Sequence, residues 1–483
     1  MKRLFLAIAT AALLNPLQGF GQSSEHPDIL FISIDDLNDW VGPLSGHPQA
    51  QTPNMDRLAD QGIVFTNARS PAVLCNPSRT ALMTGIHPSN SGVYMNQPDW
   101  RTLEQYRNIQ TIPRYFRDAG YQTVGAGKLF HSSTYNTPAY FGFNDTNAWD
   151  FYYPSLERQI PDEIRPHDRP ANGNPISQNF DWGAVAADDR AMGDGQVTAW
   201  SIDKILEPSP NPKFNAVGIY RPHLPWYLPQ KYFDMYPLDQ IELPPFLESD
   251  LDDLSDYAKQ LEAQSIISMP PMKMHDWIIE AGLWREGVRA YLASISFADT
   301  MLGHILDALE QSGRQNNTII ILWSDHGFHL GEKHRWRKHT LWNESTRVPL
   351  IIVAPGITQP GSRSNVTVSL MDIYPTLTEL SGLETPNHVE GESLVPILQN
   401  PELEWDRSVI TTHGYRNHAV TQGNYRYIRY SDGSDEFYDL EIDPNEWFNL
   451  TEEPEIKAIK DLLISELPKN DAPDARGGNS PGN

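Results

Sequence analysis

The chain is predicted to fold as an α/β protein, with a large mainly parallel or mixed β-sheet sandwiched by helices and a smaller C-terminal antiparallel-sheet subdomain. Three observations predict it. Short, nearly continuous apolar runs suited to strands buried on both faces alternate with helical segments through residues 28–353. Prolines and glycines punctuate those segments at their starts and stops. Beyond about residue 386 the texture changes to short polar-aromatic runs with an Asp432-Gly433 turn.

The elements follow in order. Residues 28–34, DILFISI, form the first core strand, which stops at Asp35-Asp36. Thr52-Pro53 then opens a helix, with a hydroxyl at the N-cap and proline at the first helical position, and Gly62 closes it. A helix over 112–119, stopped by Gly120, leads into a strand over 121–125, and another strand spans 214–220. Residues 284–311 form a long amphipathic helix in which Val288, Leu292, Ile295, Met301, Leu302 and Ile305 keep a helical period. Strands over 318–323 and 348–353 follow. In the C-terminal part, 425–430 and 436–440 pair in a small antiparallel sheet, with a helix near 455–467. The Pro-rich stretch 152–181 and the stretch 238–274 read as irregular loops of the kind that rim a pocket. The expected organisation is a signal peptide (1–22), a catalytic domain (23–385), a C-terminal α+β subdomain (386–469) and a disordered tail (470–483).

With 483 residues the chain can bury one large core plus a smaller appended unit. At 39% hydrophobic and 10% aromatic residues its composition is that of a globular protein, not a disordered one. The 62 acidic and 37 basic residues give a formal charge of −25, which argues against a nucleic-acid-binding surface. An anionic substrate is still allowed, because screening over about 10 Å at moderate salt lets a locally basic pocket work inside an acidic shell. Lys2 and Arg3 precede an apolar run over 4–14, and Gly19 and Gly21 flank a cleavage point before Gln22. This predicts a secretory signal peptide, hence an exported, periplasmic or secreted protein with no membrane span. Cys75, the single cysteine, allows no internal disulfide.

Ligands of an open parallel sheet gather beyond the carboxyl ends of its strands. Asp35 and Asp36, Lys128 and His131, His223, and Asp325 and His326 all fall at such ends. Carboxylates from two strand ends, with a few other donors, suit a hard divalent cation such as Ca²⁺, although an Asp pair also serves as a solvated loop or helix cap. A lone lysine is ordinarily solvated, and a histidine between prolines ordinarily packs a loop. The run Lys333-His334-Arg335-Trp336-Arg337-Lys338-His339 is either a solvated basic loop or a source of substrate contacts, with Arg335 or Arg337 suited to a sugar carboxylate. Trp149, Tyr152, Tyr153, Trp226 and Tyr227 fit either sugar stacking or core packing. His87, His329 and His413 show no spacing that singles them out.

Cys75-Asn76-Pro77-Ser78-Arg79, continued to Thr84-Gly85, resembles the signature of type I, formylglycine-dependent sulfatases. Asp35-Asp36, Gly127-Lys128-Leu129-Phe130-His131, Arg221-Pro222-His223-Leu224-Pro225 and Asp325-His326-Gly327 stand in sulfatase order. Together they are most similar to the iduronate-2-sulfatase branch of the alkaline phosphatase superfamily. Phe437-Tyr438-Asp439-Leu440 and Asp443-Pro444-Asn445-Glu446 resemble sulfatase C-terminal regions. The resemblance implies an alkaline phosphatase-like fold and a sulfuric ester hydrolase acting on a sulfated polysaccharide or oligosaccharide. It implies that a maturation enzyme converts Cys75 to formylglycine, whose hydrate is held with one Ca²⁺ by Asp35, Asp36, Asp325 and His326. By the same resemblance Arg79 holds that hydrate, Lys128 and Lys338 bind sulfate oxygens, His131 is the base in sulfate release, and His223 protonates the leaving oxygen. Arg335 is a further candidate for substrate binding. Two alternatives stay open: a phosphoester or phosphonate hydrolase of the same superfamily, and a sulfatase-like glycan-binding protein in which Cys75 is never oxidised.

Overall fold

The computed structural model describes residues 26–132, 142–175, 179–264 and 274–475. The signal peptide expected over residues 1–22 lies outside them, as do residues 476–483 of the expected tail. Residues 470–475, expected as the start of that tail, instead run against the body: Ala472 N–H donates to Ser89 O at 2.7 Å and Ala475 N–H to Gly92 O at 2.9 Å. These are backbone contacts, so the polar composition of the segment carried no sign of them.

An eight-stranded mixed sheet forms the centre, as the sequence predicts. Its strands are β1 (Asp28–Ile34), β2 (Ile63–Phe65), β3 (Gln122–Gly127), β4 (Phe151–Tyr153), β5 (Lys213–Ile219), β6 (Thr318–Ser324), β7 (Leu350–Val353) and β8 (Ser362–Ser364), in the order β8-β2-β7-β6-β1-β5-β3-β4. The run from β6 through β1, β5 and β3 to β4 is parallel, while β7 is antiparallel to both β6 and β2. The helices used below are α1 (Pro53–Ala59), α2 (Cys75–Thr84), α3 (Gly193–Leu206), α4 (Asp256–Gln264), α5 (Trp284–Gln311) and α6 (Lys457–Ser465).

The period-2 alternation of β1 divides the core into two layers. Leu30, Ile32 and Ile34 pack with Val288, Leu292 and Ile295 of α5. Ile29 and Phe31 face the other side, with Leu82 and Met83 of α2 and with Phe116 and Tyr374. Burying each such side chain is worth about 1.5–3 kcal/mol. Helix α4 falls within the stretch expected to be irregular. Its Ala258 and Leu261, with Leu254 just before it, pack on Trp342, Ile428 and Tyr438, so tertiary contact stabilises a helix whose short, acid-rich pattern is weak by itself.

The expected C-terminal antiparallel sheet has four strands, β9 (Val409–Thr412), β10 (His418–Gln422), β11 (Tyr425–Arg429) and β12 (Asp435–Asp439), paired in sequence order. Leu463 of α6 covers Val420, Tyr427 and Phe437. This sheet is tied to the loop after β6 by buried charge. Arg426 pairs with Glu446 at 2.5 Å, both side chains wholly buried. The second Glu446 oxygen accepts from Asn343 N–H at 2.7 Å. Removing one partner of such a pair strands a buried charge and costs about 3–5 kcal/mol. Glu446→Ala is therefore expected to lower the thermal unfolding midpoint clearly in differential scanning fluorimetry, whereas Ile442→Ser, at a position 74% exposed, leaves it nearly unchanged.

Candidate active site

Four neighbouring parallel strands, β3, β5, β1 and β6, deliver their carboxyl ends to one place. Ile34 of β1 is in register with Ser324 of β6 and Ile219 of β5, so Asp35-Asp36, Asp325-His326 and the segment from Tyr220 to His223 emerge side by side. Lys128 follows β3, with its N–H donating to Gly218 O at 3.0 Å. Glycine is required at that crossing: a Cβ on Gly218 would lie 2.2 Å from Lys128 O. Asp36 takes a left-handed backbone (φ 59°), uncommon for a non-glycine residue. This turn breaks the strand alternation that would otherwise send two successive carboxylates to opposite faces.

Cys75 is the first residue of α2 and is buried against this rim. Its Sγ lies 3.3 Å from His326 Nε2, 3.2 Å from Lys338 Nζ, 3.7 Å from Lys128 Nζ and 3.9 Å from Asp36 Oδ1. Burial raises the thiol pKa, but Lys128 and Lys338 together outweigh it and hold the thiol below its usual range. One turn along α2, the wholly buried Arg79 donates Nη2 to Asp35 Oδ1 at 2.9 Å and Nε to Asp325 Oδ2 at 2.8 Å. Its Nη1 donates to the carbonyls of Lys128 and Leu129, each at 2.9 Å. Ser78 Oγ donates to Asp325 O at 2.5 Å.

Lys128 Nζ meets Asp35 Oδ2 at 2.5 Å, and Lys338 Nζ meets Asp36 Oδ1 at 2.6 Å. Burial raises Asp35, but Lys128 with Arg79 and His223 outweighs it and its pKa is lowered. Asp36 is different. Burial lifts it to about 6 in spite of Lys338, with Asp35 adding repulsion. Burial of the ring lowers His326, but the Asp325 carboxylate and Cys75 together raise it to about 9. Asp36, Cys75, Asp325 and His326 bring one ligand atom each within 4.8 Å of one another, and Asp35, Asp36 and His223 do so as a second group.

His223 is partly exposed, with Nε2 3.9 Å from Asp36 Oδ2. Its Nδ1 lies 2.5 Å from Tyr220 Oη and 2.6 Å from Leu224 O. The segment is fixed from below: Asp194 accepts from Tyr220 N–H and Arg221 N–H, and Glu163 pairs with Arg221 at 2.7 Å. His131 lies in the field of Lys128 and Lys338, and burial with those charges pushes it down to about 3. Its Nδ1 is buried without a hydrogen-bond partner among the described residues.

The structure thus gathers Asp35, Asp36, Cys75, Arg79, Lys128, His131, His223, Asp325, His326 and Lys338. Arg335 is buried in the same basic loop, where its charge acts on His329. Trp149, Trp226 and Tyr227 belong to the core and are not available for sugar stacking; Trp226 packs on Trp182, Tyr291 and Phe328. Tyr220, Asp194 and Glu163, which set His223, were not legible: Asp194 and Glu163 act from 26 or more residues away. His339 was read only as part of the basic loop, and its ring lies 6.3 Å from that of His413.

Buried carboxylates balanced by lysines and arginine around an activated thiol, at the carboxyl edge of a mixed sheet, define a hydrolase site for an anionic ester. Comparison with known proteins specifies the class. The sulfatase family model matches residues 27–383, and the model for the C-terminal region of N-sulphoglucosamine sulphohydrolase matches 331–472. A sulfatase of Formosa agariphila is 40% identical over 452 residues, covering 93% of this chain and 87% of its own. Mouse iduronate 2-sulfatase is 29% identical, covering 83% and 79%. A structure solved in complex with its substrate, D-glucosamine-2-N,6-O-disulfate, superposes with a TM-score of 0.70 at 21% identity, over 92% of this chain and 97% of that one. The chain belongs to the sulfatase family, the sulfuric ester hydrolases.

Arg79 reaches both aspartates by a planar fork that lysine cannot reproduce. Arg79→Lys is expected to keep the charge yet lower sulfate-release kcat by roughly 100-fold through misplacement of Asp35 and Asp325, while circular dichroism stays near wild type.

Proposed function

We propose that the protein is an exported sulfatase that hydrolyses sulfate monoesters on a sulfated polysaccharide or oligosaccharide. In this reading Cys75 is converted to formylglycine by a maturation enzyme, and one Ca²⁺ is bound. The observation that carries it is the buried Cys75, held between Lys128 and Lys338 and against Asp36, Asp325 and His326. The donors fit the ion: carboxylate oxygens are hard ligands, and Asp35, Asp36 and Asp325 come together from two strand ends. Asp35, Asp36, Asp325 and His326 would hold Ca²⁺, which would supply charge that polarises the sulfate ester and stabilises oxyanions. The aldehyde at residue 75, hydrated, supplies a nucleophile that a plain hydroxyl or thiol does not.

The chain's own groups do the rest. Arg79 fixes Asp35 and Asp325 and so sets the donor geometry before substrate arrives. Lys128 and Lys338 take the sulfate oxygens and offset the negative charge of the ester. Leu224 O accepts from Nδ1–H of His223 and so orients the ring with Nε2 toward the leaving oxygen. Burial and the two lysines hold His223 well below its usual range, and an arriving anion opposes that shift, favouring the proton it gives to the alcohol. His131, kept neutral by burial and the same lysines, is the base that assists sulfate release.

The decisive measurement is the mass of the Cys75 peptide after co-expression with a formylglycine-generating enzyme. Conversion to the aldehyde is expected, and a wholly retained thiol sinks the proposal. Chelation should abolish sulfate release from aryl sulfate and Ca²⁺ should restore it. Cys75→Ala and Asp325→Ala should each remove turnover, with aryl phosphate assayed in parallel to rank the anions.

A further inference from the structure

The C-terminal sheet meets the segment before Cys75 through β9. Thr412, the last residue of β9, forms a parallel bridge with Ala72, and its N–H donates to Pro71 O at 3.0 Å. His413 is therefore carried alongside the Val73-Leu74 approach to Cys75. Residues 413–417 then turn tightly: His413 N–H donates to Asn417 O at 2.9 Å, and Asn417 Nδ2 donates to His413 O at 3.0 Å. The far side of the turn is anchored too. Tyr415 meets Tyr94 edge-on at 6.1 Å, and Asn96, two residues beyond Tyr94, accepts from the N–H of Asn76, the neighbour of Cys75.

His413 is 4% exposed and faces His339, the partly exposed residue next to Lys338, with ring centroids 6.3 Å apart at 67°. The Nδ1 atoms of both rings are buried with no hydrogen-bond partner among the described residues. Native structures seldom leave buried polar atoms unpaired, so each such atom calls for a partner such as a water or a ligand. Burial pushes His413 down to about 4, and burial with His413 and Lys338 holds His339 well below its usual range. Two neutral imidazoles each offer one donor and one acceptor, which matches a hydroxyl better than it matches an anion. Arg416, exposed at the tip of the turn over the ring of Tyr415, supplies a cation outside the pocket.

We propose that residues 413–417, with His339, form the sugar-reading part of the Cys75 site. His339 and His413 hydrogen-bond hydroxyls of the sugar that bears the sulfate, and Arg416 meets an anionic substituent on the adjoining sugar. The substrate class is then an acidic oligosaccharide of two or more units, which deepens and rests on the sulfatase reading above.

The test uses the matured full chain with para-nitrophenyl sulfate and a set of defined sulfated disaccharides. The disaccharides differ in sulfate position and in whether the partner sugar carries a carboxylate. Wild type should favour a disaccharide with an acidic partner sugar. His413→Ala should lower the ratio of disaccharide to aryl sulfate kcat/KM by about tenfold or more, chiefly through KM, and His413→Gln should recover part of it. Arg416→Ala, at the surface, should lower the ratio only for disaccharides with an acidic partner. An unchanged ratio in His413→Ala and Arg416→Ala, or a wild type that cleaves no disaccharide better than the aryl ester, overturns the inference. Failure of the matured wild type to release sulfate from any of these compounds would instead bring down the sulfatase reading.

Discussion

Arg79 is the group on which the rest of the site depends. It has no exposed surface, yet its guanidinium joins Asp35 at the end of β1, Asp325 at the end of β6 and two carbonyls after β3, all from the first turns of α2. A buried guanidinium is tolerable only when its donors are met, and a fork of fixed geometry can be met only if its partners stand at fixed positions. The demand therefore runs both ways. The carboxylates keep Arg79 charged, and Arg79 fixes the spacing of two carboxylates that would otherwise repel each other.

The same balance explains how so acidic a chain can take an anion. Its net charge of −25 is distributed over the molecule, whereas the pocket sets Lys128, Lys338 and Arg79 against Asp35, Asp36 and Asp325 within a few ångströms. Desolvated charges at contact distance outweigh a screened field from the surface. Asp36 is raised to about 6 chiefly because burial penalises its charged form, in spite of Lys338.

The sequence was most legible where chemistry and local order coincide. Buried β-branched runs gave β1, β5 and β6, the period of α5 was readable over its whole length, polar residues at strand ends marked seven of the ten gathered residues, and the Cys75–Arg79 motif marked two more. Lys338 was harder to pick out, because the run 333–339 offers several cations and only the fold says which one faces Cys75. Two left-handed residues, Arg337 and His339, flank Lys338, and a backbone conformation of that kind has no signal in non-glycine side chains. Short outer strands such as β2 and β8 were equally silent, since three residues carry no period. His413 was invisible for a further reason: its place is set by contacts such as the Ala72–Thr412 bridge, between segments 340 residues apart.

That loop also shows why the two sheets behave as one catalytic unit. Lys333 is buried against Asp250 at 2.8 Å and against the carbonyl of Glu446, and Arg426 donates to the carbonyl of Leu341. Trp342 Nε1 donates to Glu436 Oε2 at 2.9 Å. Lys338 hangs between these two sets of anchors, so its reach to Asp36 and Cys75 is defined by residues of the C-terminal sheet as much as by the strand before it. A change in that sheet that leaves β1, β6 and α2 untouched still moves one of the two cations beside the thiol. The acid-rich motif around Glu446 is far from Cys75 in sequence, but this loop links it to the candidate site.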